Sequence, residues 1–386
     1  MVLLALGMPA SASAADTPPP NTIGSFPTWQ VAKSGATYTG SADFAAAAAF
    51  PATTFTSNAT TIKAPSGESA FLGASTGFGQ YFGSSRSQPY LNISPTGTGP
   101  STTTLTFAGP PPAGWGVALG DIDADFVEII AKDAGGTVLP GSDLGAQDTG
   151  GTPLLNYCNN SPKPSGCAGP GPFTDSPFWF PTGTTIGGTT YTTPIVKGNV
   201  LDTSGAYDWF QPGTDVRSLT FVYHIQSGLP IYQVWLAALA PVATITGTVT
   251  PPPGDTVPTG TTANLEQSDG TPVLNITADP VKAPVAPDGT FTIDTEQAHY
   301  DIAFTVPLGF DPIPPIAVDA TTAAVTLPPV TLAPAAATPP TTPPAPAGPT
   351  LATTGVDSTP LVAAAGLAVV GGLALIGIGF ARRRRT

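Results

Sequence analysis

The chain has 386 residues, room for two or three domains, and carries 12 Lys plus Arg against 25 Asp plus Glu. Four of the basic residues are Arg382 to Arg385, so residues 1–381 hold eight basic groups against 25 acidic ones, a surface that repels phosphate backbones and argues against nucleic acid as a partner. Charged residues make up only 10% of the chain, and 44 Gly and 47 Pro punctuate it, which disfavours long charged helices and favours β-strands joined by tight turns.

The N-terminus opens with an apolar run, Val2 to Met8, followed by Ala12-Ser13-Ala14. This A-x-A pattern predicts a signal peptide over residues 1–15, cut after Ala14 or Ala15, although no basic residue precedes the run. Residues 16–25 read as a Pro-rich linker. Over residues 26–240, short runs such as Thr104–Phe107, Phe126–Ile130 and Leu219–Tyr223 alternate with turn clusters, and all five tryptophans fall inside this stretch. The pattern predicts one large, jelly-roll-like β-sandwich. The alanines of 42–50 suit one or two helical turns and nothing longer.

Three features of this region invite a chemical reading. Asp121, Asp123 and Asp125 alternate, and on a strand such residues share one face. Three carboxylates together need a cation or donors, so a structural Ca²⁺ is the candidate cofactor; the alternative is a turn whose aspartates cap backbone amides. An EF-hand loop does not fit, because Phe126 stands in place of the loop glycine and Lys132 in place of the bidentate glutamate. Cys158 and Cys167 are the only cysteines, with eight residues between them in a Pro/Gly-containing loop, and predict a local disulfide. Trp179 and Trp209, each among other aromatics, are candidates for stacking on sugar; the same rings also suit core packing.

Residues 241–332 form a second β-rich stretch. It starts at Ile245-Thr246-Gly247-Thr248-Val249, continues through Ala263–Leu265 and Val273–Ile276, turns at Pro287-Asp288-Gly289 into Thr290–Ile293, and ends with Tyr300–Val306 and Ala323–Leu327. Its size and strand number predict a small Ig-like (prealbumin-like) β-sandwich. Pro-rich residues 333–350 predict a polyproline stalk at ~3.1 Å per residue. Leu361 to Ala381 carries no charge, and a helix there would span ~31 Å, enough for one transmembrane crossing. The basic tail 382–386 would stay on the cytoplasmic side.

Leu351-Ala352-Thr353-Thr354-Gly355 directly precedes that run. The order of pentad, apolar span and arginines resembles the LPxTG sorting signal of Gram-positive surface proteins; Leu351, Thr354 and Gly355 match, and Ala352 departs from the usual proline. LAxTG is a variant associated with high-GC Gram-positive bacteria, and the departure bears on which sortase acts. The resemblance implies that a sortase cysteine attacks the Thr354 carbonyl, that the Thr354–Gly355 bond is cut, and that an amine of a peptidoglycan precursor resolves the acyl-enzyme. Sortase and peptidoglycan are then partners, the membrane is engaged only transiently, and the protein is secreted and anchored in the cell wall. The second β-rich stretch is similar to the carboxypeptidase-regulatory-like and collagen-binding B-type repeats over Val242–Leu332. Some of those carry a Lys–Asn isopeptide bond, which is not expected here: no Lys lies in Ile245–Thr250, no Asn in Ala323–Leu332, and Lys282 is the stretch's one lysine. Phe82–Asn92 and Gly114–Asp125 are similar to stretches of actinobacterial wall-anchored proteins.

His224 and His299 lie in different regions, and no Gly-x-Ser-x-Gly, HExxH or phosphate-loop motif is present. The expectation is a non-enzymatic surface protein with an adhesive or structural role, its ligand a glycan or a host or environmental surface. The alternatives are a wall-displayed carbohydrate-binding module or glycan-active enzyme, and an inert spacer or coat component.

Overall fold

In the computed structural model, which describes residues 18–336 apart from 98, 148–154, 200–203, 229 and 276–278, the chain is all-β. The expected signal peptide (1–15), the stalk beyond residue 336, the Leu351–Gly355 pentad, the 361–381 span and the 382–386 tail lie outside the described residues. Among the described residues no helix is long and apolar enough to cross a membrane.

Period-two sequences build the outer sheet. Ser101–Phe107 and Ser218–His224 alternate buried and more exposed residues, as strands with one covered face do. They sit near the centre of an eight-stranded antiparallel sheet ordered Phe178–Phe180, Ile195–Lys197, Phe126–Lys132, Ser218–His224, Ser101–Phe107, Thr53–Ser57, Thr37–Asp43, Thr28–Ser34. Facing it is a second sheet ordered Tyr207–Phe210, Gly116–Gly120, the first part of Tyr232–Thr250, Leu91–Ser94 and Thr61–Lys63. Phe55, Leu105, Ile129 and Phe221 from the first sheet meet Val117, Leu119, Val234 and Leu236 from the second in one core.

The second sheet is buried on its other face as well. Ala118, Trp209, Trp235 and Ala237 pack there against Phe78, Phe82, Tyr90 and Tyr157. Every residue of Gly116–Gly120 and Tyr207–Phe210 is therefore buried, and neither strand shows alternation. Phe78 and Phe82 belong to a short helix, Gly77–Phe82, absent from the sequence reading. Its signals are local: Thr76 Oγ1 accepts from the Gly79 N–H at 3.0 Å, and Gly83, at φ 83°, ends it. The alanines of 42–50 yield a single 3₁₀ turn, Ala46–Ala48. Gly120 is where this sheet tolerates no side chain: a Cβ there would lie 2.6 Å from the Trp235 ring and 2.9 Å from Gln233 Oε1.

Tyr232–Thr250 is a single strand of 19 residues, ~60 Å long at about 3.3 Å per residue. It pairs with Gly116–Gly120 and Leu91–Ser94 over its first half and with Thr22–Ser25 over Ala238–Pro241. From Val242 it pairs with Thr290–Glu296 antiparallel and then with Ala324–Thr326 and Val330–Thr331 in parallel. The boundary expected between residues 240 and 241 thus falls inside a continuous strand. Pro241 marks where the partners change; its carbonyl accepts from the Gln297 N–H at 3.2 Å. The expected linker 16–25 also contains structure, since Thr22–Ser25 is a paired strand.

The far half of the long strand closes a smaller sandwich against a four-stranded sheet ordered Lys282–Pro284, Thr262–Glu266, His299–Thr305, Ile316–Asp319. Ile245, Val249, Leu265, Ile293, Ile302 and Val318 form its core. Gly247, conspicuous among β-branched residues, lies under Phe291: a Cβ would meet that ring at 2.3 Å. The described part of Val273–Ile276 is not a continuous strand: Leu274 makes an isolated bridge to Pro280, and the Val273 N–H donates to the Leu265 carbonyl at 3.0 Å. Both cores belong to one compact unit, which ends at Ala336.

Where the sandwiches meet, Ser25 Oγ donates to Glu296 Oε1 at 3.0 Å. Burial raises the Glu296 pKa above its ordinary value near 4.5, and the Ser25 hydroxyl offsets part of that. A carboxyl raised in the native state contributes stability that is complete below its ordinary pKa and lost as pH rises through the native value. Glu296→Gln is therefore expected to melt higher than the parent at pH 7, with the difference shrinking as pH falls below about 4.5; melting curves across pH check the sign. Gly120→Ala is expected to cost about 1–3 kcal/mol through overpacking against Trp235, read from the urea midpoint.

Candidate functional site

The Asp121–Asp125 segment is not a strand. It is the loop between Gly116–Gly120 and Phe126–Lys132, entered through Asp121 at φ 61°, so the shared face assumed from alternation does not form. Each carboxylate serves a local partner. Asp121 Oδ1 faces the Gly205 N–H at 3.5 Å, and Asp123 Oδ1 accepts from the Ala124 N–H at 2.8 Å. Asp125 is 3% exposed; its Oδ2 accepts from the Tyr223 hydroxyl at 2.6 Å and its Oδ1 from the N–H groups of Gln226 at 2.6 Å and Ser227 at 3.3 Å. Among the described residues no group of three or more His, Cys, Asp or Glu is placed to hold a metal ion. Among the described residues, then, no cation-ligand set is gathered at Asp121, Asp123 and Asp125; backbone amides and a phenol are partners of these carboxylates.

These carboxylates act on buried phenols. Burial, reinforced by the Asp125 charge, pushes the Tyr223 hydroxyl far above its ordinary pKa. Burial and then the Asp121 charge do the same to Tyr157, whose hydroxyl donates to Gln233 Oε1 at 2.9 Å. Both phenols stay protonated and act as fixed donors.

Cys158 and Cys167 form a disulfide with Cα atoms 5.5 Å apart, buried in the same cluster as Trp209 and Trp235. A loop this short contributes ~2–3 kcal/mol on the chain-entropy account. Asn156 secures its start: Oδ1 accepts from the Cys158 N–H at 2.9 Å, and Nδ2 donates to Asp175 Oδ1 at 2.7 Å and to the Ser204 carbonyl at 2.9 Å.

The two tryptophans are not brought together. Trp209 is fully buried and edge-on to Phe78 at 5.7 Å, so it has no free face for a sugar; it is a core residue. Trp179 lies on the edge strand Phe178–Phe180 of the eight-stranded sheet, half-buried on Phe210 at 4.9 Å, beside Phe178, which is 47% exposed.

The histidines stay apart, one in each sandwich. His224 Nε2 sits 2.7 Å from Glu128 Oε1, its ring stacked on Phe126 at 4.3 Å. The Thr193 hydroxyl bonds Glu128 Oε2, not the imidazole, so hydroxyl, base and acid are in the wrong order for a nucleophilic triad. His299 is exposed, with Nδ1 3.5 Å from Asp319 Oδ1. Lys282 is exposed on its edge strand.

No protein-family model and no curated protein matches the chain. Among solved structures it is similar to BcpA, the major pilin subunit of Bacillus cereus, at 11% identity and TM-score 0.25 over 63% of this chain and 64% of that one. It is also similar to the group B streptococcus pilus 2b backbone protein, at 11% identity and TM-score 0.23 over 60% and 92%, and to the Corynebacterium diphtheriae major pilin SpaA, at 10% identity and TM-score 0.21 over 62% and 67%. The chain spans about two thirds of BcpA, and TM-scores this low carry no argument about shared function.

Asp125→Ala strips the acceptor from one buried hydroxyl and two backbone amides, and is expected to cost about 3 kcal/mol in chemical denaturation. Millimolar Ca²⁺ is expected to leave the melting temperature of the parent unchanged; a rise would mean a cation does enter the Asp121–Asp125 loop.

Proposed function

We propose that the chain is a structural cell-surface protein, secreted and then joined to the peptidoglycan by a sortase that cleaves between Thr354 and Gly355. The observation that carries this reading is the order at the C-terminal side: the Leu351–Gly355 pentad, the uncharged Leu361–Ala381 run, then Arg382 to Arg385. The folded part supports it. Two sandwiches threaded by one strand make a continuous extended element, suited to holding a surface away from its anchor. Its polar groups hold turns and loops, and neither histidine faces a nucleophile among the described residues. The Pro-rich stretch that follows would keep the pentad extended and accessible to the enzyme. In this role the chain is the substrate of the transpeptidation and not its catalyst.

A second reading, glycan binding at the wall surface, keeps one observation in its favour: Trp179 is half-buried beside exposed Phe178 at a sheet edge. A glycan array with Trp179→Ala as control tests it; signal lost in that variant supports the reading.

Mass spectrometry of protein released from the wall by muralytic digestion is expected to find a C-terminus at Thr354 carrying a peptidoglycan fragment. Thr354→Ala is expected to shift the protein out of the covalently bound wall fraction. A C-terminus beyond Gly355 in the parent would replace the sortase reading with a permanent membrane anchor.

A further inference from the structure

A cleft of about 960 Å³ opens between the two sandwiches, beside the Thr22–Ser25 strand and the end of Thr290–Glu296. Its volume is that of a ligand site rather than a packing gap. Two large apolar side chains that stay exposed, Ile23 at 38% and Leu274 at 40%, line it from opposite sandwiches. Exposed apolar residues gathered in a concave site mark a contact surface more often than scattered ones do.

The charges in the cleft have one sign. Asp43, Asp294 and Glu296 line it, and no Lys or Arg does among the described residues. Asp294 accepts from the Thr244 hydroxyl at 2.7 Å, and Glu296 accepts from Ser25. These are neutral donors, so among the described residues no cationic side chain is paired with either carboxylate, and the half-buried position of Glu296 favours its neutral form. A cation entering the cleft would supply what the protein does not.

We propose that this cleft is a docking site for an extended segment of another protein in which lysine or arginine alternates with aliphatic residues. The alternation suits the walls: aliphatic side chains against Ile23 and Leu274, cationic ones toward Asp294 and Glu296. An anionic ligand is disfavoured by the carboxylates. A second copy of this chain is disfavoured by its own surplus of 25 acidic over 12 basic residues, four of those in the tail. A sugar would need an open aromatic face, but of the cleft's aromatics Phe44 is stacked on Phe50 at 4.2 Å, Phe26 packs on Phe78 at 6.3 Å, and Tyr81, Phe82 and Tyr300 are buried. The proposal goes beyond wall anchoring and stands whether or not Thr354 is cleaved.

The test uses the full chain and fluorescently labelled acetyl-Val-Lys-Val-Lys-Val-amide, with the glutamate counterpart as control, read by anisotropy. The lysine peptide is expected to bind and the glutamate peptide not to. Glu296→Gln combined with Asp294→Asn is expected to weaken binding about tenfold or more, the loss of charge-assisted bonds. Leu274→Ser is expected to weaken it at both low and high salt, whereas the charge contribution fades with salt. Melting curves confirm that each variant is folded, and Leu274→Ser, at an exposed position, supplies a test independent of the carboxylates. No binding of the lysine peptide, equal binding of the two peptides, or parent-like affinity in both variants overturns the proposal.

Discussion

One strand carries the architecture. Tyr232–Thr250 is the middle of the inner sheet in the larger sandwich and a ladder partner of three strands in the smaller one. Its hydrogen bonds therefore tie two hydrophobic cores into one unit without a linker. The burial pattern along it records the change of setting: Tyr232 to Ala238 are buried on both faces, and beyond Pro241 only alternate residues are. Any displacement of one sandwich against the other has to bend this strand or break its pairing with Thr22–Ser25, which is why the Ser25–Glu296 contact lies at a point of structural leverage.

The inner sheet makes a second demand. With aromatic clusters on both faces, Gly116–Gly120 has to be thin, and glycine at 120 lets Trp235 lie across it. The strand ends there and the chain reverses through Asp121. Asp123 then accepts from the Ala124 amide, and Asp125 from the amides of Gln226 and Ser227. Asp125 joins the loop after Ser218–His224 to the outer sheet through three hydrogen bonds, beside the bond of the Tyr223 hydroxyl to the Ile231 carbonyl. Carboxylates that look like ligands in one dimension are, in three, the acceptors that hold loops over buried phenols.

Much of the all-β character was legible because it is local. The alternation in Ser101–Phe107 and Ser218–His224 is a direct consequence of one covered face, and Gly/Pro turns bound it. The helix at Gly77–Phe82 was missed although Thr76, Gly83 and the Phe78–Phe82 spacing signal it, because a helix this short is overwhelmed by surrounding turn residues. Trp209 and Trp179 sit in similar aromatic tripeptides, yet one is a core residue and the other an edge residue; nothing local separates them, since burial depends on which sheet each strand joins. The cleft shared by Ile23 and Leu274 left no trace in the sequence, because its walls are some 250 residues apart along the chain.

What the sequence by itself determined is the class of the chain: β-rich, acidic, and carrying in order the Leu351–Gly355 pentad, the uncharged Leu361–Ala381 run and Arg382 to Arg385. Composition, periodicity and short contiguous motifs suffice for these, because each depends on neighbours in the chain. Tertiary structure decided the rest: that strand 232–250 runs unbroken past the expected boundary, that the three aspartates sit in a loop and accept from amides and a phenol, and that Trp209 is sealed in. Those outcomes depend on which distant strands pair and which faces they cover, and hydrogen-bonded pairing between remote segments is not written in any local pattern.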